Sequence, residues 1–247
     1  LEAGIWLPLS LLGIYRATSA TEAATPWQPG WLALTSIGIG LSLLAGHPQT
    51  SLFLTYVVIV YALHRGAVRE SHWLLTLALA GASVAVGYGL AMVQVLPGLE
   101  YTRLTVRASI GFDALANGFP FTDLLVIVLP NVLSVWSPLY SGIPTLILAG
   151  LAIAQKRESA RFWAVVAGVA LILSFGAGTI LFRLFYLAVP GFQLFRGQER
   201  AAYIVAFAIA VLAGLGAEAC TRPDSQTHPR LTPLLRAAAL LSGVLVV

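Results

Sequence analysis

Four arginines and a small set of polar side chains are the residues in this chain best suited to chemistry. Glu100, Arg103 and Arg107 stand at i, i+3 and i+7, a spacing that projects all three from one side of a helix. A second pair, Arg196 and Arg200, lies in Phe195-Arg196-Gly197-Gln198-Glu199-Arg200, immediately before an apolar run. Paired guanidinium groups suit a phosphate, because their planar donors bond it bidentately. His47 and Gln49, in the turn Gly46-His47-Pro48-Gln49-Thr50, offer an imidazole and an amide to a sugar hydroxyl or a phosphate. Asp113, Asn117, Asp123, Asn131 and Tyr140 make a looser fourth group.

Each group also has a plainer reading. Glu100 to Arg107 would equally make a salt-bridged surface helix, and Arg196 and Arg200 would serve as snorkelling anchors at a membrane boundary. His47 with Gln49 reads as a cap and turn pair, and Asp123, after Thr122 and before an apolar run, as a helix cap. No metal-ligand spacing is present: His64 and His72 are eight residues apart, and His228 is isolated.

The elements that position these residues follow from composition. A chain of 247 residues with 58% hydrophobic and 10% charged residues and a mean hydropathy of +0.87 belongs in a lipid bilayer rather than in water. The net charge of +4 is scattered between apolar runs, as topology determinants are, and nucleic acid is excluded as a partner. The single cysteine, Cys220, rules out an intrachain disulfide and a cysteine-based metal cluster. The chain begins at Leu1 and stops within an apolar run at Val247, so a single transmembrane domain over residues 1–247, truncated at both ends, is expected.

The expected fold is all-α, a polytopic transmembrane helical bundle of about seven to eight spans or part-spans. Residues 5–15 read as the end of a span, and residues 31–45 and 51–63 as two spans joined by the His47 turn. Residues 73–96 are long enough to cross alone. Residues 97–140 form an extracytoplasmic loop, in which the apolar segment 124–135, broken at Pro130-Asn131, is re-entrant or lies at the interface. Residues 143–154, 162–181 and 201–217 are further spans, and 237–247 opens a last one.

Alternating the connections places Arg16, Arg65, Arg69, Lys156, Arg157, Arg161, Arg222, Arg230 and Arg236 on one side, against Arg103, Arg107, Arg183, Arg196 and Arg200 on the other. The richer side is cytoplasmic. His47, the 97–140 loop and the 182–200 connection therefore belong to the outer face, where nucleotide-activated donors are absent and a donor must arrive through the lipid.

Gly46-His47-Pro48-Gln49-Thr50 after an apolar run, Leu96-Pro97 leading to Glu100 and Arg107, Leu129-Pro130-Asn131, Tyr140-Ser141-Gly142, and Phe195-Arg196 to Arg200 before another apolar run together resemble the YfhO-type bacterial membrane proteins. That family is similar to the GT-C superfamily of polyprenyl-phosphate-sugar-dependent glycosyltransferases. The resemblance implies a GT-C-like bundle in the bacterial cell membrane, a polyprenyl-phosphate-linked sugar as donor, and a cell-envelope polymer or glycolipid as acceptor, with the active face extracytoplasmic. It implies lipid-phosphate binding by Arg103, Arg107, Arg196 and Arg200, and sugar or acceptor binding by His47, Gln49, Glu100, Asp123 and Tyr140. The family's catalytic acidic residue is expected upstream of Leu1, and the resemblance leaves a divalent metal open as a cofactor. A transporter or lipid flippase and a non-catalytic membrane scaffold are the alternatives. A carrier would place charges within its spans, whereas almost all of them here fall at span ends.

Overall fold

The structure is a computed structural model that describes residues 2–19, 29–68, 73–105, 111–130 and 138–221. Every regular element in these residues is helical. The chain divides into two compact units, Leu1–Ile110 and Gly111–Val247. Among the described residues three helices, Pro48–Val68, Trp73–Leu90 and Gln198–Cys220, are long and apolar enough to cross a membrane, and Gly30–Leu44 and Ile143–Ala154 are shorter apolar helices.

The first unit contains a 3-10 turn, Gly4–Trp6, then α1 (Leu7–Thr18), α2 (Pro29–Leu44), α3 (Pro48–Val68), α4 (Trp73–Leu90) and α5 (Met92–Leu104). Leu7, Leu11, Ile14 and Thr18 of α1 are all buried, and their helical spacing makes a single inward stripe. Small residues let the backbones approach closely: Gly13 stands against Thr35 and Trp31, and Gly87 of α4 against Ile39 and Ser36. Polar groups inside this apolar unit bond to one another, as Thr35 Oγ1 does to Ser10 O at 3.0 Å. At the other end of α3, Arg65 Nε donates to Thr18 Oγ1 at 3.0 Å and its Nη2 to Ser19 Oγ at 3.0 Å. Its guanidinium lies 4.9 Å from the Tyr15 ring centroid, so this arginine ties α3 to the last turn of α1.

The apolar run expected over residues 73–96 divides at Ala91, whose φ of −97° and ψ of 10° leave the helical basin. α5 then carries Pro97 in its interior and ends at Leu104, because Thr105 is extended. It buries no residue.

The second unit holds α6 (Phe112–Leu115), a 3-10 helix (Phe121–Ile127), α7 (Ile143–Ala154), α8 (Glu158–Ser174), a 3-10 turn (Gly176–Gly178), α9 (Ile180–Ala188), two further 3-10 turns (Phe192–Leu194 and Gln198–Ala201) and α10 (Ala202–Thr221). The re-entrant or interface segment expected over 124–135 begins as the 3-10 helix, and residues 131–137 lie outside the described residues. α7 and α8 both pack on α10, and Trp163 meets Phe207 edge to face at 5.5 Å between centroids. The span expected over 162–181 stops instead at Ser174. There the carbonyl of Ser174 accepts the Phe119 N–H at 2.9 Å, and Gly176 takes a φ of +54°, a value a helix cannot continue through.

α10 approaches α7 most closely at Gly216. A Cβ there would overlap Leu148 O and come within 2.7 Å of Leu148 C, both backbone atoms. Gly216→Ala is therefore expected to lower stability by roughly 1–3 kcal/mol through overpacking. Gly214→Ala, whose Cβ would meet nothing within 4 Å, should be neutral or gain up to about 1 kcal/mol of helix propensity. Thermal unfolding of the two variants in detergent is the comparison, and equal midpoints would rule out the close approach.

Candidate functional site

The polar residues singled out in the sequence fall in different places, and each is held there by local chemistry. In the first unit His47 follows the end of α2, where Gly46 takes a φ of +81°, and precedes Pro48 at the first position of α3. Its Nδ1 accepts from the Thr50 N–H at 3.4 Å and lies 2.8 Å from Thr50 Oγ1. An acceptor role for Nδ1 makes the Thr50 hydroxyl the donor and assigns the proton of the neutral ring to Nε2. His47 is thus the N-cap of α3, the plainer of its two readings. Gln49 is buried, with 2% of its surface exposed.

A buried hydroxyl pair lies beside this turn. Ser42 Oγ donates to Ala3 O at 2.8 Å, which makes Ser51 the donor in the 2.9 Å contact between Ser42 and Ser51. The pair joins the N-terminal turn to α2 and α3.

Glu100 and Arg103 are exposed on α5. Because α5 ends at Leu104, the helical register that would align Arg107 with them stops before reaching it. Arg107 lies outside the described residues.

The second unit draws three separate stretches into one junction. Residues 115–119 supply the centre: Ala116 O accepts the Ala177 N–H at 2.7 Å, Asn117 O accepts the Gln198 N–H at 2.7 Å, and the Phe119 N–H goes to Ser174 O at 2.9 Å. The end of α8 and the start of the Gln198–Cys220 helix are thereby fixed on the same short strip of backbone. Gln198 locks it. Its side chain is 1% exposed, and Nε2 donates to Leu115 O at 3.3 Å and Phe195 O at 3.1 Å. One buried and one half-buried carbonyl receive donors from this one amide. Its Oε1 is buried with no hydrogen-bond partner.

Arg196 and Arg200 flank Gln198 and are both exposed. Arg200 Nη1 donates to Arg196 O at 3.0 Å, closing the loop on itself. The outcome is a pair of guanidinium groups on a short loop, anchored by a buried amide at the head of a helix long enough to cross a membrane. Such a loop can present donors to an anion without first ordering itself.

Asp123 lies in the first turn of the Phe121–Ile127 helix. The cap position belongs to Pro120, with no side-chain cap bond, so the capping role open to Asp123 in the sequence is not the one it takes. Its side chain is 3% exposed. Beside it Phe121 leans on Phe175 with centroids 4.9 Å apart. Tyr140 precedes α7, and its hydroxyl is enclosed without a partner. Asp113 and Asn117 are exposed, and Asn131 lies outside the described residues. Among the described residues no group of three or more His, Cys, Asp or Glu side chains is placed to hold a metal ion.

Arg196 and Arg200 thus share one loop of the second unit, which also holds Asp123 and Tyr140. His47 and Gln49 share one turn of the first unit, whose α5 carries Glu100 and Arg103. Gln198 is the residue to which sequence reasoning assigned no role. Its signal was a lone amide between a glycine and an apolar run, which many loops contain.

Comparison with family models, with curated proteins and with solved structures found no match.

Proposed function

We propose that the protein is a membrane glycosyltransferase of the bacterial cell membrane, moving a sugar from a polyprenyl-phosphate-linked donor to a cell-envelope polymer or glycolipid on the extracytoplasmic face. The observation that carries this reading is the Arg196–Arg200 loop, two exposed guanidinium groups held at the head of the Gln198–Cys220 helix. A cation pair at the end of a membrane-length helix suits a phosphate that arrives in the plane of the lipid. The resemblance to the YfhO-type proteins, the GT-C-like arrangement of seven to eight spans and part-spans, and the placing of Arg65 and Lys156 opposite Arg196 by charge asymmetry belong to the same reading.

In this reaction a base takes the proton of an acceptor hydroxyl, and the oxygen attacks the anomeric carbon. The bond from that carbon to the phosphate oxygen breaks, and the lipid phosphate leaves with the electron pair. Arg196 and Arg200 offset the charge that grows on the leaving phosphate, the role that the resemblance implies for Arg103 and Arg107 as well. His47 and Glu100 are the groups open to the sugar or the acceptor, His47 while it caps α3; Gln49, Asp123 and the Tyr140 hydroxyl, to which the resemblance gives the same role, are enclosed.

The experiment is transfer by the reconstituted full-length protein from polyprenyl-phosphate-linked sugars. Arg196→Ala and Arg103→Ala should each lower turnover by roughly 10- to 100-fold, the equivalent of one charged hydrogen bond of about 1.5–3 kcal/mol. Expression and melting should be unaltered, since both side chains are exposed. Undiminished transfer by both variants would remove the arginines from the donor site, and no transfer from any such donor by the unaltered protein would remove the reaction class.

A further inference from the structure

α9 has no part in the reaction proposed above, and its two faces differ sharply. On the inner face Phe182 is fully buried and stacks on Phe112 with centroids 5.5 Å apart. Tyr186 meets Phe112 edge to face at 5.1 Å, and Phe185 meets Phe192 at 5.0 Å. The outer face carries Ile180, Leu184 and Leu187, which are 76%, 54% and 70% exposed, with Arg183 exposed among them. These four stand at i, i+3, i+4 and i+7, one ridge of a helix. Nine residues span only about 14 Å, less than half of the roughly 30 Å of a bilayer's hydrocarbon core.

Three hydrogen bonds fix where this ridge lies. The end of α8 and the head of the Gln198–Cys220 helix are held on the same backbone strip, through Ser174 O to Phe119 N and Gln198 N to Asn117 O. α9 therefore departs at the level where that membrane-length helix starts. Thr179, the residue before α9, donates its hydroxyl to Ile172 O at 3.1 Å, which ties the start of α9 to the outer side of α8. That side exposes Val165, Val169 and Ile172, so one apolar surface runs along α8 and continues onto α9.

We propose that α9 is an interfacial anchor that lies in the plane of the bilayer surface. Ile180, Leu184 and Leu187 enter the acyl boundary, and Arg183 pairs with a lipid phosphate. A short helix with an aliphatic ridge, one cation among it, and an aromatic inner face packed on Phe112 and Phe192 has the chemistry of that boundary. The occupant is lipid, because the ridge is continuous with the outer surface of α8 and its cation complements an anionic headgroup.

The test uses the full-length protein in nanodiscs of phosphatidylcholine and phosphatidylglycerol, in a Cys220→Ser background. Leu184→Cys, Leu187→Cys and Arg183→Cys are spin-labelled one at a time, and relaxation is compared between oxygen, which concentrates in acyl chains, and a water-soluble nickel chelate. Labels at 184 and 187 should be relaxed roughly threefold or more strongly by oxygen, as expected for a face about 5–10 Å below the headgroups, with the label at 183 at a shallower depth. Stronger relaxation by nickel at 184 and 187 would place the ridge in water. Protection from both reagents would place it against protein. Either result overturns the proposal, and neither depends on whether the protein transfers sugar.

Discussion

Gly176→Val is expected to lower the stability of the second unit by roughly 3–5 kcal/mol, which is enough to unfold a marginal protein. Three effects combine. Gly176 has a φ of +54°, where a branched side chain adds about 1–2 kcal/mol of strain. Its Cβ would fall on Ala116 O and within 3.0 Å of Asn117 C, backbone atoms that cannot rotate away, and overpacking of this kind adds about 1–3 kcal/mol. The displaced Ala116 carbonyl would also lose the Ala177 N–H it accepts at 2.7 Å, worth about 1 kcal/mol. Gly168→Ala in α8 is the control, since a Cβ there meets nothing within 4 Å and alanine gains up to about 1 kcal/mol of helix propensity. Equilibrium unfolding of the full-length protein in detergent compares them. If Gly176→Val and Gly168→Ala unfold together, residues 115–119 do not bear on the end of α8 as described.

Gln198→Leu should cost roughly 2–4 kcal/mol. Leucine fills much the same volume but donates nothing, so Leu115 O and Phe195 O lose the bonds that Gln198 supplies at 3.3 and 3.1 Å. A carbonyl left unpaired in a buried setting costs about 1–3 kcal/mol. The backbone bond from Gln198 N to Asn117 O survives the change, so the loop should loosen rather than detach. Amide exchange at Gln198 and Ala177 should accelerate, while α10 beyond Ile204 stays protected. Uniform exchange across α10 would mean that Gln198 serves the whole helix and not this junction. Under the proposed function, the same variant should weaken donor binding although Arg196 and Arg200 are both present.

The sequence reading located the helices of the first unit well, for a physical reason. α2, α3 and α4 are long apolar runs closed by turn residues, and an apolar run of this length must satisfy its backbone internally as a helix. Gly46-His47-Pro48 could be read as a tight turn because glycine ends a helix and proline starts one. His47 shows the limit of that logic. An imidazole in a turn fits both a ligand and a cap, and only the position of Thr50 beside Nδ1 decides that it caps.

Asp123 and the end of α5 show the limits of periodicity. Asp123 looked like a cap because apolar residues follow Thr122, yet the helix begins at Phe121 and carries the carboxylate inside its first turn. The i, i+3, i+7 alignment of Glu100, Arg103 and Arg107 assumed one continuous helix, and α5 ends at Leu104. The end of α5 is marked by neither glycine nor proline, whereas Pro120 stands before Phe121 and Gly176 lies just beyond the end of α8. α8 was expected to run to Leu181, but a carbonyl at Ser174 is taken by Phe119, a partner 55 residues away in the chain.

By itself the sequence determined that this is a helical protein suited to a bilayer, and which arginines stand at the ends of its apolar runs. These follow from hydropathy, length and charge, all properties of neighbouring residues. Only the tertiary structure decided that Leu115, Asn117, Ser174 and Gln198 meet at one junction, that α8 stops there, and that α9 turns an aliphatic ridge outward beside it. The bonds that hold the junction are made largely by main-chain groups, which every residue carries, so their pairing leaves almost no mark in the order of the side chains.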